Sequence, residues 1–419
     1  MSDFQATMTV LASQDFVGDR TGSQVYVSRH GEILLDVAVG ARNRTSAMTT
    51  QTLQRWVCCA KPLVLVAFLQ ELTDARLNES GRVADTIPEY AAGGKSSVTI
   101  ADLLTHTVPY RGVGLRWKAD GMHDPETDNR MLVADWGDAV AMVCGQPLDG
   151  RPGESVAYTA LANWLILAEM MQRLTGRAYE EIVRDRVMEP LGMSSTYLRL
   201  DTATSPELAE SWVVSEGDAA RRGALDSPVY RDRRWPGLGT WGPMHELARV
   251  LECIAGWRNP ALIPGHLRKH MIMPLRTELA DPVYQGVNIH WSLGCCVDPL
   301  PFGLPNGTAV VGHTGAHSSL VFSDLDAGVT VAFAASGLLA RTADWTRKRR
   351  LVHAIYQDLN EIPERREPGG TSLMPAVLPG GEPELERNPE AFDLNAESYL
   401  ARPGIAVTEV DRNLDDLRP

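Results

Sequence analysis

The sequence predicts an α+β fold, because β-prone runs open and close the chain around a middle with helical spacing. Near the start, Gln24–Ser28 and Ile33–Val39 are apolar runs separated by Arg29-His30-Gly31-Glu32. That pattern is a β-hairpin closed by a short glycine turn, and Gly40 ends it. Near the end, Ala309–Val311, Ser319–Phe322 and Val329–Phe333 are short β-prone runs. Asp326-Ala327-Gly328 makes the turn between the last two.

Between these runs, Leu63, Val66, Ala67, Leu69 and Leu72 suit a buried helix over Lys61–Leu72. Pro62 is tolerated there, since first-turn amides have no intrahelical acceptor. Helical spacing recurs at Ala101–Thr105, Asp135–Val143, Ala160–Leu174 and Tyr179–Met188, with Gly176 as a C-cap. Trp345–Leu359 predicts a closing helix. The expected organisation is one catalytic unit over 1–362, with an α/β part at about 1–75 and 245–362 and a helical part at about 76–244. Residues 363–419 form an extension rich in proline, glycine and acids, with Phe392, Leu394, Tyr399 and Leu400 as candidate anchors.

Composition narrows the partners. A net charge of −13 argues against nucleic acid or an anionic membrane. No apolar run reaches membrane-spanning length, and the opening Met1-Ser2-Asp3-Phe4-Gln5 lacks the basic start of an export signal. The six cysteines include two adjacent pairs, Cys58-Cys59 and Cys295-Cys296, and no Cys/His spacing suggests zinc. The expectation is a cytoplasmic, reduced protein with no metal. No phosphate-binding GxxxxGK[ST] loop occurs, and no cofactor is called for.

Chemistry concentrates at Arg55-Trp56-Val57-Cys58-Cys59-Ala60-Lys61-Pro62. A thiol three residues before an amine, at the start of a helix, puts both side chains on one face. The amine then reaches the sulfur as proton acceptor or counter-charge, which favours the reactive thiolate. Cys59, one position on, turns to another face and reads as packing.

Further signposts follow in order: Gln51-Thr52-Leu53, Leu103-Leu104-Thr105-His106-Thr107, Tyr158-Thr159-Ala160, Thr175-Gly176-Arg177-Ala178-Tyr179, Glu189-Pro190-Leu191-Gly192-Met193 and Gly312-His313-Thr314-Gly315. Together with Cys58 and Lys61, this set resembles the serine β-lactamase and penicillin-binding-protein superfamily, in its class C β-lactamase and esterase branch. The resemblance runs from about Gln24 to Leu359 and implies a β-lactamase-like fold, with an antiparallel sheet flanked by helices and a mainly helical subdomain. It makes Cys58 the nucleophile in place of serine, Lys61 the base and Tyr158 the proton shuttle. It also makes the backbone N–H groups of Cys58 and Ala316 the oxyanion hole. His313, Thr314, Gly315, His106 and Trp241 become candidate substrate contacts, with Trp117 another possible pocket wall.

Two departures shape the functional expectation. Serine is replaced by Cys58, and the family asparagine after Tyr158-Thr159 is replaced by Ala160, with Asn163 one turn on. The second weakens the case for β-lactam ligands. The first makes the acyl-enzyme a thioester, which is a better partner for amines than for water. The reading is an ATP-independent acyltransferase, or transacylase, resembling the superfamily's natural-product members. It would move an acyl group from an ester or thioester donor to an amine acceptor, in antibiotic or related biosynthesis. A cytosolic ester or amide hydrolase with a cysteine nucleophile is the alternative. A non-catalytic acyl-ligand binder is a third, disfavoured by the presence of both Lys61 and Tyr158. The sequence assigns no oligomeric state.

Overall fold

The computed structural model describes residues 4–111, 134–156, 158–200, 208–213, 221–222, 231, 234–281, 287–316, 318–339 and 341–360. The acid-rich extension at 363–419, its candidate anchors and Trp117 lie outside the described residues.

Five strands form one antiparallel sheet: β1 (Gly22–Arg29), β2 (Glu32–Gly40), β3 (Val310–Gly315), β4 (Ser319–Asp324) and β5 (Val329–Ala335), in the spatial order β2-β1-β5-β4-β3. The β1–β2 hairpin closes on His30 and Gly31, at φ 49° and 81°. Two successive positive φ values are what a two-residue turn needs to match the twist of its strands. The second turn uses Gly328 at φ 70°, while the Asp324 carboxylate accepts the Asp326 and Ala327 amides at 3.0 Å each. β5 then sits between β1 and β4, with Tyr26 and Val321 both opposite Ala332. Segments about 300 residues apart, 22–40 and 310–335, thus share one sheet.

Side chains alternate across that sheet with period two. Val25, Val27, Leu320, Phe322, Val331 and Phe333 pack on one face with Leu11, Leu351, Val352 and Ile355. These partners belong to the helices Gln5–Leu11 and Arg341–Asp358. Tyr26, Val321, Ala332 and Ala334 face the opposite way, onto the helices Lys61–Asp74 and Met244–Ala255. Both faces are therefore covered over β1, β4 and β5, while β2 stays largely exposed, and truncating a side chain such as Phe322 to alanine would cost about 3–5 kcal/mol. A polar latch joins helix to sheet. Buried Glu252 accepts from Tyr26 Oη at 2.9 Å and Ser28 Oγ at 2.6 Å, and pairs with Arg258 Nε at 2.6 Å.

The helical middle includes Ile100–Leu104, Trp136–Gly145, Ala162–Thr175 and Tyr179–Val183, the last running into a π turn at Arg184–Met188. The first is started by a capping box. Thr99 Oγ1 accepts the Asp102 amide at 3.2 Å, and the Asp102 carboxylate accepts the Thr99 amide at 2.9 Å. Gly176 caps Ala162–Thr175 at φ 70°, where a residue with a Cβ would be strained. Among the described residues, no helix is long and apolar enough to cross a membrane. All six cysteines are buried and unbridged.

Candidate active site

Cys58 lies in a 3₁₀ turn, Val57–Ala60, from which the helix Lys61–Asp74 continues. In a 3₁₀ turn, side chains three apart eclipse one another, so the turn aligns Cys58 with Lys61 more closely than an α-helix would. The residue before the sulfur is strained: Val57 has φ 51°, which a β-branched side chain rarely adopts. Its neighbours hold it there. Trp56 donates its amide to Thr240 O at 3.0 Å and its indole Nε1 to Gly242 O at 2.8 Å. Its carbonyl accepts Ser319 Oγ at 2.7 Å and the Cys59 amide at 3.1 Å.

Lys61 is fully buried and donates Nζ to Gly237 O at 2.9 Å. The same Nζ stands 5.6 Å from the Tyr158 ring centroid and 5.7 Å from that of Trp164. Burial pushes the Lys61 amine below the ordinary lysine range. The charge of Cys58 and a side-chain hydrogen bond to it act in the opposite direction. An amine so placed gives up its proton more readily than a solvent-exposed lysine does. Cys59, by contrast, donates its thiol to His313 O at 3.2 Å, and burial pushes its pKa up to about 12. The second thiol is thus a packing group.

Cys58 and Tyr158, each 4% exposed, share one apolar cluster with Trp291, and half-buried Ala316 packs against it. Tyr158 stacks on Trp291 at 5.7 Å, and the His106 ring lies 4.6 Å from Tyr158 and 4.7 Å from Trp291. His313 completes the cluster at 5.8 Å from both Tyr158 and Trp291. The two imidazoles take opposite tautomers. His106 Nδ1 accepts the Thr159 amide at 3.3 Å and faces Asn163 Nδ2 at 3.4 Å, which leaves the hydrogen on Nε2. His313 Nδ1 lies 2.7 Å from Thr314 O, so it carries the hydrogen and donates. Burial, then the Lys61 charge, pushes both below the histidine range, His106 well below and His313 to about 3. Both rings are neutral at neutral pH.

The sequence-selected residues divide in space. Cys58, Lys61, Tyr158, His106 and His313 converge from four segments, with half-buried Thr314 and with Gly315 at the end of β3. The space a Cβ on Gly315 would take holds Ser319 Oγ at 1.9 Å and Trp56 O at 2.9 Å, so only glycine lets this strand approach the nucleophile turn. Trp241 stands in a separate cluster with Leu53, Leu200 and Leu208. Asn163 donates to Leu103 O at 2.7 Å and thereby ties down the loop that carries His106. Sequence reasoning passed over Trp291, Gly237 and Val57. Pro236-Gly237 is a turn dipeptide that could have flagged the second; the other two carry no local signal.

The fold thus gathers a thiol, a desolvated amine and a phenol into one buried neighbourhood. The Beta-lactamase family model matches residues 10–354. Penicillin-binding protein 4 of Amycolatopsis lactamdurans is 30% identical over 201 residues, which cover 47% of this chain and 48% of that protein. The chain spans less than half the length of the curated relatives it matches. Among solved structures, a family VIII carboxylesterase is similar with TM-score 0.68 and 22% identity, over 85% of this chain and 98% of its own. Simvastatin synthase (LovD6 mutant) of Aspergillus terreus is similar with TM-score 0.65 and 16% identity, over 85% of this chain and 94% of its own. At these identities the likeness is one of fold, and it is the β-lactamase-like fold that the motifs implied.

Proposed function

The chain belongs to the Beta-lactamase family, and from that premise we propose that it is a transacylase that forms amides through a thioester on Cys58. One observation carries the reading: a buried amine, Lys61, follows a thiol by three residues at one helix start, lies close enough for the charges to act on each other, and stands within 6 Å of the Tyr158 ring. In the first half-reaction, Lys61 takes the Cys58 proton and the sulfur attacks the donor carbonyl. The tetrahedral oxyanion is met by the backbone N–H groups of Cys58 and Ala316. Its collapse forms the thioester and expels an alcohol or thiol, which receives its proton through Tyr158. In the second, an amine attacks the thioester, passes a proton back along the same route, and leaves as an amide with Cys58 restored.

Sulfur decides the second half. A thioester has a good, soft leaving group that a neutral amine displaces more readily than water does. The alignment of Cys58 with Lys61 supports acylation; the thiol itself supports aminolysis. His106 and His313, neutral and buried against Tyr158, are suited to orient substrate and phenol rather than to carry charge. We place the reaction in the reducing cytoplasm, in keeping with six unpaired cysteines, and in natural-product assembly such as antibiotic biosynthesis.

The fold also serves a carboxylesterase, so hydrolysis of the same thioester is the second reading. Intact-protein mass spectrometry with a panel of activated esters tests the first half, with one acyl mass expected on Cys58 and none on Cys58→Ala. Product analysis with candidate amines then separates the readings. Water as sole acceptor whatever amine is supplied would make the protein a hydrolase.

A further inference from the structure

We propose that Lys348 is a positioning residue for the oxyanion hole: its buried ammonium holds the Gly315 carbonyl so that the Ala316 N–H faces the acyl oxygen on Cys58. The inference rests on the acyl-transfer reading above and adds a residue that the motifs do not contain.

Lys348 lies on the closing helix Arg341–Asp358, in the run Arg347-Lys348-Arg349-Arg350 that reads as a solvated basic face. Instead it is 4% exposed, with Nζ 2.8 Å from Gly315 O and 2.5 Å from an Asp344 carboxylate oxygen. Withdrawing an ammonium from water costs several kcal/mol unless its hydrogens are used. Asp344, which it shares with Arg347, supplies the counter-charge, and a second of the ammonium's three N–H donors goes to one particular carbonyl. That carbonyl belongs to the last residue of β3, at the corner where β3 meets the nucleophile turn. The same ammonium lies near enough to the turn for its charge to act on the Cys59 thiol.

Strand geometry gives that bond its consequence. Gly312 exchanges both backbone hydrogen bonds with Cys296, donating at 2.9 Å and accepting at 3.0 Å, so its polar groups point away from β4. Residues two apart on a strand point their N–H and C=O groups to the same side. Thr314 and Ala316 therefore share the outward side of Gly312, along the edge beyond Cys296, while the Gly315 carbonyl points back. The Gly315–Ala316 peptide is planar, with C=O and N–H on opposite sides. Fixing the carbonyl on Lys348 aims the Ala316 N–H outward. A carbonyl that accepts from a cation also polarises its own peptide, which makes that N–H a stronger donor. The Ser319 Oγ bond to Trp56 O, in the space that Gly315 leaves open, locks the same corner to the segment carrying Cys58.

The test compares two reactions of Cys58 in the full chain. Acetylation by p-nitrophenyl acetate passes through an oxyanion, whereas alkylation by iodoacetamide does not. Lys348→Met, which keeps the stem and removes the ammonium, is expected to slow single-turnover acetylation about 10–100-fold, short of the ~10²–10³-fold lost with a whole donor. Alkylation should stay within about twofold, because no oxyanion forms in it. Lys348→Arg keeps a donor and should recover part of the loss. If Lys348→Met does not fold, Asp344→Asn is expected to show the same split with a smaller loss. Acetylation at the wild-type rate, or equal losses in both reactions, would overturn the assignment. A wild-type chain that takes no acetyl group on Cys58 sinks the acyl-transfer reading itself, and is seen before any variant is made.

Discussion

Replacing Gly237 by alanine tests how the amine of Lys61 is held. Gly237 sits at φ +71°, where a residue with a Cβ costs about 1–2 kcal/mol. The new methyl group would stand 2.7 Å from Lys61 Cγ and 3.4 Å from the Trp164 ring. Carbon atoms rest at roughly 3.5–4.0 Å, so the lysine stem must give way by about 1 Å. The Gly237 carbonyl, bonded to Lys61 Nζ at 2.9 Å, is drawn from the amine by the same strain. A catalytic group displaced by about 1 Å loses on the order of 10²-fold in rate. At ~2–4 °C per kcal/mol for a domain of this size, the backbone strain lowers the melting temperature by about 2–8 °C. The assay is the single-turnover rate of Cys58 acetylation beside its iodoacetamide alkylation and a thermal melt. Both rates should fall together, since the amine governs the sulfur's proton in each. A variant that melts lower yet acetylates at the wild-type rate would show that Lys61 does not depend on this carbonyl. The reasoning about the base would then be refuted.

Three further outcomes are expected. Cys58→Ser should keep some acylation but pass its acyl group to water in preference to an amine; an amine-to-water ratio equal to wild type, read by product analysis, counts against the thioester argument. Tyr158→Phe should cost about 10²–10⁴-fold in turnover with little loss of stability, as a lost proton shuttle does; a mild effect in steady-state kinetics would leave Lys61 as the sole proton carrier. His313 should make the fold acid-sensitive. Its pKa falls from 6.5 to about 3 on folding, so between those values the unfolded chain binds a proton that the folded chain refuses. The stabilisation is complete above about pH 6.5 and is lost as pH falls towards 3, by at most about 5 kcal/mol. Urea midpoints measured across that window should fall more steeply for wild type than for His313→Gln, and parallel curves would remove the histidine from the account.

The sheet and its chemistry were legible to different depths. Local physics sufficed wherever a few adjacent residues carry the constraint. The hairpin turn at His30-Gly31, the cap at Gly176, the alternating strands and the three-residue step from Cys58 to Lys61 are all visible in order along the chain. The site also depends on groups that no local rule selects. Val57 takes a positive φ that its branched side chain argues against, and it is held there by Trp56, whose hydrogen bonds reach Thr240, Gly242 and Ser319. Trp291 reads as an ordinary core tryptophan until the fold sets it between Tyr158 and two histidines. Lys348 reads as a surface charge until packing of the last helix on the sheet buries it behind Gly315.

By itself, then, the sequence determined the strand and helix periods, the order of the motifs and the three-residue step from the Cys58 thiol to the Lys61 amine. The tertiary structure decided which polar atoms are withdrawn from water and what they face. Hydrogen-bond partners and desolvation arise between segments tens to hundreds of residues apart, and these set the proton affinities of Lys61, His106 and His313. A pattern read along the chain carries the first kind of information and not the second, because burial belongs to the packed whole rather than to any window of residues.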